Sequence, residues 1–280
     1  RTNSESNIKD LLSIIFILYS VLTFIIFLLL NISEVRMFNS LNLSMSLIST
    51  GGFIPTDSLD KIIQSNIQKL IFIFSLLISM LNFFLILNIF EKKIIIREHR
   101  EDFYLVMLSI AFILLVYLNN YSGLNIIISV LSSLSNSGLT LINSDNNLSL
   151  YFILITIVGG SLISNTSGIK FARLYILLKT AASEIIKLVS PNSIINKNIF
   201  YSEKKITDEN IKISFLIFIS FFLSLFILSS LLVIDNIGFE KSFKLSILTL
   251  TNTVNSEMFD MRNINFANLL TSSKISLILF

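Results

Sequence analysis

Ser49-Thr50-Gly51-Gly52-Phe53, Ser135-Asn136-Ser137-Gly138-Leu139 and Thr251-Asn252-Thr253-Val254-Asn255 decide the fold. Each cluster of small and polar residues closes a short amphipathic stretch: Val35–Ile48, Leu124–Leu134 and Phe239–Leu250. A long apolar run precedes each stretch and another follows the cluster. Apolar segments of about 10–14 residues are too short to cross a hydrocarbon core and read as buried or re-entrant helices. The pattern therefore predicts a pore loop repeated along the chain, in which a helix enters the membrane partway and turns back. Two clusters have glycine at the fourth place, Gly52 and Gly138; the third has Val254.

Working outward, the composition is that of an integral membrane protein. The chain has 280 residues, 53% of them hydrophobic and 14% charged, against roughly 25% charged in a soluble domain. Leu11–Leu30, Leu70–Phe90, Asn146–Ile169 and Ile213–Ile234 carry no charge, and each is long enough to span as a helix. Leu11–Leu30 is too long for the core of a signal peptide, and no small-residue cleavage site follows it. With no cysteine there is neither a disulfide nor a thiolate metal site. The lone His99 falls in the charged stretch Glu91–Asp102 and is read as a solvated loop residue. The net charge of +3 comes from basic residues near helix ends, which is an orientation signal and not a nucleic-acid stripe. An enzyme is excluded because no His, Cys or carboxylate cluster falls at membrane depth. Proton coupling is disfavoured because no charge falls in mid-membrane.

The expected fold is an all-α integral membrane protein made of repeated helix–pore loop–helix units. The predicted boundaries are 1–90 for the first unit, 102–179 for the second and 211–280 for the third, with linkers at 91–101 and 180–210. Asn119–Gly123 separates the first long helix of the middle unit from its short one, and Pro191 caps off the helix before the second linker. Placing the N-terminus and linkers together gathers most of the lysines and arginines on that side, which makes it cytoplasmic. The pore loops then enter from outside.

Glycine permits positive φ, which lets successive carbonyls face one way. A ring of such carbonyls replaces the water shell of a dehydrated cation, and the C-terminal end of each short helix adds partial negative charge. The three clusters are therefore the candidate cation filter. The second feature is Gly159-Gly160-Ser161-Leu162-Ile163-Ser164-Asn165-Thr166-Ser167-Gly168, in the middle of an otherwise spanning run. Non-helical backbone at that depth is tolerated only against protein or a water-filled cavity. It is either a gating loop below the filter or a kink whose Ser and Thr bond back to their own turn. Lys170 and Arg173 follow; they either snorkel to the interface or approach the path from below.

These motifs resemble the Trk/Ktr/HKT superfamily of potassium and sodium transport proteins, most nearly its bacterial Trk-type membrane subunit. The resemblance rests on Ser49–Phe53, on Gly159 through Lys170, and on Phe266-Ala267-Asn268-Leu269-Leu270, which is similar to the lead-in to the family's last pore-lining helix. It implies a pseudo-fourfold channel-like fold of which this chain holds repeats two, three and most of four, so that the chain is expected to be a fragment. It implies a multi-pass protein of the bacterial inner membrane, a homodimer, and a cytosolic nucleotide-binding regulatory subunit that docks on the linkers. Potassium or sodium would be the transported ion and no covalent cofactor is implied. The ion would contact Thr50, Gly51, Asn136, Ser137, Asn252 and Thr253, mainly through backbone oxygens, with Gly159–Lys170 as the gating loop. The chain departs from the family pattern at Val254 and Asn255, where Gly-Pro is usual, and at Ile163 and Ser167, where the loop usually has glycine. A non-conducting scaffold or sensor that keeps the fold and binds a cytosolic partner is the alternative.

Overall fold

The computed structural model describes residues 2–56, 58–90, 99–118, 123–141, 146–190, 198–201, 205–253 and 269–280. The described residues are mostly helical. Helix α1 (Thr2–Ile32) leads into the short α2 (Met37–Ser49), then α3 (Asn66–Met80) and α4 (Phe83–Phe90). Helix α5 (Arg100–Leu118) leads into the short α6 (Leu124–Leu134), then α7 (Asn146–Ile157), a strand pair β1 (Val158–Gly159) and β2 (Ile169–Lys170), and α8 (Phe171–Val189). Helix α9 (Asp208–Ile234), the short α10 (Phe239–Leu250) and α11 (Thr271–Leu279) complete the order. A long helix, a short helix and a further helix thus recur three times.

Among the described residues, Leu12–Ile32, Arg100–Leu118 and Asp208–Ile234 are long and apolar enough to cross a membrane. Their outer faces are apolar as well: Phe16, Phe24, Phe103, Leu114, Leu216 and Phe226 stand exposed. In water such surfaces would be costly, whereas hydrocarbon is their proper solvent. The short helix α6 has the opposite character. In α6, the run Ile128 to Leu134 is buried without interruption. Each short helix packs on the long helix before it, α2 on α1, α6 on α5 and α10 on α9, while α6 also meets α3 and α7. Leu47, Phe72, Leu76, Leu131, Phe152, Leu228 and Leu248 form the shared core.

Serine lets these helices approach closely. Ser40, Ser44, Ser133 and Ser246 are buried, and each hydroxyl donates to a carbonyl of its own helix. That satisfies the hydroxyl without needing a partner across the interface. Helix α3 starts with a full capping box, in which Ser65 Oγ accepts from Gln68 N and Gln68 Oε1 accepts from Ser65 N. The Gln68 side chain also donates to Ser33 O at 2.8 Å, tying this start to the turn after α1.

Three expectations are corrected. The apolar run Leu70–Phe90 is not one helix, because it breaks at Leu81–Asn82, where Asn82 Oδ1 accepts from Phe84 N and starts α4. The second linker does not begin at 180: α8 continues to Val189, and α9 already begins at Asp208 under a Thr207 cap. His99 is not solvated. Its side chain is 10% exposed and lies between Asn88 Nδ2 at 2.8 Å and Asp102 Oδ2 at 3.4 Å. Pro191, most of Asn119–Gly123 and most of the first linker lie outside the described residues.

The two faces of α3 should differ sharply in what they tolerate. Phe72 is fully buried and Phe74 is 52% exposed. Phe72→Ala is expected to cost about 3–5 kcal/mol of stability and Phe74→Ala far less, read as shifts of the thermal unfolding midpoint of the detergent-solubilised protein.

Candidate functional site

All three short helices end in the same way. The residue after the last turn adopts the left-handed region: Thr50 at φ 53°, Asn136 at φ 57° and Asn252 at φ 57°. Its N–H donates three residues back, from Thr50 to Leu47, from Asn136 to Ser133 and from Asn252 to Thr249. The next N–H donates five back, from Gly51 to Ser46, from Ser137 to Ser132 and from Thr253 to Leu248, at 2.8 to 3.0 Å. This pair of bonds is the Schellman closure of a helix. Asparagine is at ease in the left-handed region, whereas a β-branched threonine is not. Thr50 is held there by its own hydroxyl, which donates to Ser49 O at 2.7 Å and to Asn165 O at 3.2 Å.

Two residues further on in sequence from each left-handed residue, the backbone turns left-handed again at Gly52, φ 68°, and at Gly138, φ 66°. The corresponding Val254 lies outside the described residues, as does Asn255. The clusters also touch one another. A Cβ on Gly52 would lie 2.5 Å from Ser137 O, and one on Gly138 would lie 3.1 Å from Thr253 Cα and from Thr253 O. Asn252 Nδ2 donates to Thr50 O at 3.1 Å, joining the third cluster to the first. Asn136 Nδ2 donates to Thr156 O at 2.7 Å, joining the second to the end of α7. Ser135, Asn136, Ser137, Leu139, Thr251 and Thr253 are buried; Phe53 is exposed. The structure therefore brings the described part of the three clusters to one place, with backbone oxygens packed close together and no acidic side chain in any cluster.

The polar break lies beside them. β1 and β2 pair in parallel, Val158 with Ile169 and Gly159 with Lys170, so the chain leaves the loop in the direction in which it entered. Between them Gly160 to Gly168 form a non-helical excursion. Lys170 Nζ gathers its inner side, donating to Ser164 O at 2.9 Å and Thr166 O at 2.6 Å as well as to both hydroxyls. Lys170 thus organises the loop. Thr166 Oγ1 accepts from Gly160 N at 2.8 Å. Gly159 and Gly160 have no room for a Cβ against Ser167 O and Met80 O respectively, and Gly168 has φ 71°.

The break in α3–α4 and the break after α7 answer each other. Ser161 N donates to Met80 O at 2.9 Å and Phe83 N to Ile163 O at 3.2 Å. Two carboxylates from the first turn of α5 complete this junction. Glu101 Oε1 accepts from Leu162 N at 2.8 Å, and Asp102 Oδ1 accepts from Asn82 N at 2.9 Å. Asp102 is 2% exposed. Placed at the boundary of the first linker and the second unit from sequence, these carboxylates hold two interrupted backbones.

A further tie joins this turn of α5 to the segment before α9. Phe200, itself left-handed at φ 47° and 5% exposed, stacks on Tyr104 at 5.6 Å, Phe171 at 5.7 Å and Tyr175 at 4.2 Å between ring centroids. Arg100 donates to Phe200 O at 3.3 Å, and Lys179 Nζ to Asn198 O at 2.5 Å.

Substitutions should separate these roles. Gly52→Ala is expected to destabilise strongly, since it adds a left-handed penalty of about 1–2 kcal/mol to a backbone clash. Gly51→Ala, with side-chain atoms as its nearest neighbours, should be milder in the same thermal unfolding assay. Asp102→Ala leaves the Asn82 N–H without its acceptor and is expected to cost about 1–3 kcal/mol; Asp102→Asn, which keeps an acceptor oxygen, should recover much of that loss.

No family model matches the chain. An uncharacterized cation transporter of Methanocaldococcus jannaschii is 27% identical over 192 residues, covering 64% of this chain and 37% of that protein. Among solved structures, the crystal structure of the potassium transporter TrkH from Vibrio parahaemolyticus matches with a TM-score of 0.83 at 20% identity, over 97% of this chain and 61% of that one. The chain thus spans under two thirds of the length of either protein. The helix order, the repeated short helices and this superposition together establish that the chain is an all-α membrane protein with the fold of the potassium transporter TrkH.

Proposed function

We propose that this chain forms part of a potassium-uptake transporter subunit that conducts monovalent cations. The observation that carries the reading is the thrice-repeated Schellman ending, which brings three clusters of backbone oxygens against one another at the negative ends of three short helices. Cations would move down the membrane potential, which contributes about 2.3 kcal/mol per charge per 100 mV. In this reading Thr50, Gly51, Asn136, Ser137, Asn252 and Thr253 contact the ion, and Gly159 to Lys170 form the gating loop. The printed descriptions of the two similar proteins, a cation transporter and a potassium transporter, point the same way. A bacterial inner membrane, a homodimer and a cytosolic nucleotide-binding regulatory subunit complete the proposal, with the segment between α8 and α9 as the docking region.

Val254 favours a second reading, a scaffold or sensor that keeps the fold without conducting. It occupies the place of Gly52 and Gly138, whose φ of 68° and 66° a β-branched residue resists. Rubidium uptake by the full-length protein, in cells lacking their own potassium uptake, decides between them. Uptake and rescued growth in low potassium are expected, and Val254→Gly should change the rate little. Absence of uptake from a well-inserted protein, with uptake appearing in Val254→Gly, would instead establish the scaffold.

A further inference from the structure

The loop and the first cluster are joined by two hydrogen bonds that meet at one residue. Asn165 Nδ2 donates to Ile48 O at 2.8 Å, and Asn165 O accepts from Thr50 Oγ1 at 3.2 Å. These bonds link segments 117 and 115 residues apart in sequence. The Schellman closure of α2 uses the carbonyls of Ser46 and Leu47. Ile48 O, in the same last turn, has no partner within the helix and receives the Asn165 amide instead.

The loop is divided between two attachments. The carbonyls on either side of Asn165, those of Ser164 and Thr166, are held by Lys170. The Asn165 carbonyl is turned the other way, to the hydroxyl that steadies Thr50 in its left-handed conformation.

We propose that Asn165 is a positioning residue that clasps the loop to the first cluster and holds the path beneath it shut. The amide donor occupies an oxygen at the negative end of α2, where a cation leaving the clusters would be attracted. The neighbouring backbone of the loop comes with it. Releasing the clasp frees the loop on the cluster side while Lys170 and Glu101 keep it folded on the other. The proposal rests on the conducting reading given above, so its test needs a measurement independent of conduction.

Full-length protein in lipid nanodiscs is compared with Asn165→Ala and Asn165→Thr by amide hydrogen exchange of peptides covering 160–168, and by rubidium flux in liposomes. Both variants are expected to exchange faster across that segment and to carry about fivefold more flux, the population shift that loss of one net hydrogen bond produces. The preference for rubidium over sodium should stay the same, because the cluster carbonyls are untouched. Unchanged exchange overturns the clasp whatever the flux does. Faster exchange with lower flux or lost ion preference overturns the inhibitory role and makes Asn165 a support of the clusters. Faster exchange with no flux in any of the three proteins upholds the clasp and sinks the conducting reading.

Discussion

Every short helix here ends among packed elements, where its last carbonyls lack water to donate the bonds they miss. The left-handed turn at Thr50, Asn136 and Asn252 solves that problem three times with the same two backbone bonds. The rest of the structure depends on it. The turn reverses the chain within the membrane, brings Gly52 against Ser137 and Gly138 against Thr253, and leaves amide side chains free to cross to neighbouring elements. Without the closure each helix would have to run on through the bilayer or expose polar backbone to hydrocarbon, at several kcal/mol for each group.

The same accounting explains the second half of the site. Two chain breaks, after Met80 and after Ile157, would each be costly alone at this depth. Placed side by side they exchange backbone bonds, and Glu101 and Asp102 take the N–H groups that remain. Buried carboxylates are costly unless hydrogen-bonded, so these two are retained for what they hold. The first turn of α5 thereby connects three things: the α3–α4 break, the loop after β1, and the Phe200 stack of the segment before α9.

What was legible in the sequence follows from this division. The clusters, the short amphipathic helices and the polar run from Gly159 are local signals: apolar periodicity, glycine placement and segment length. They carried the fold and the location of the three clusters. The junction at Asn82 was not legible, because an asparagine in an apolar run does not announce that an aspartate 20 residues away will receive its N–H. His99 was read as solvated because charge usually is; its inward turn, like that of Asp102, is a tertiary fact. Helix α8 runs to Val189, just short of Pro191, so the linker bound of 180 was set by composition. Its lysines and Glu184 resemble a linker in composition but lie along a half-exposed helix, where Lys187 pairs with Glu184 at 2.8 Å.

The parallel pairing of Val158–Gly159 with Ile169–Lys170 has a consequence for how such a protein changes over time. Because the chain leaves the loop beside the point where it entered and in the same direction, the residues between are a cassette. Their number and identity can vary without rotating α8 against α7. The loop is constrained where it bonds Met80, Phe83, Glu101, Ile48 and Thr50, and is freer between those points. Divergence can therefore accumulate there while the helices that frame the three clusters stay fixed.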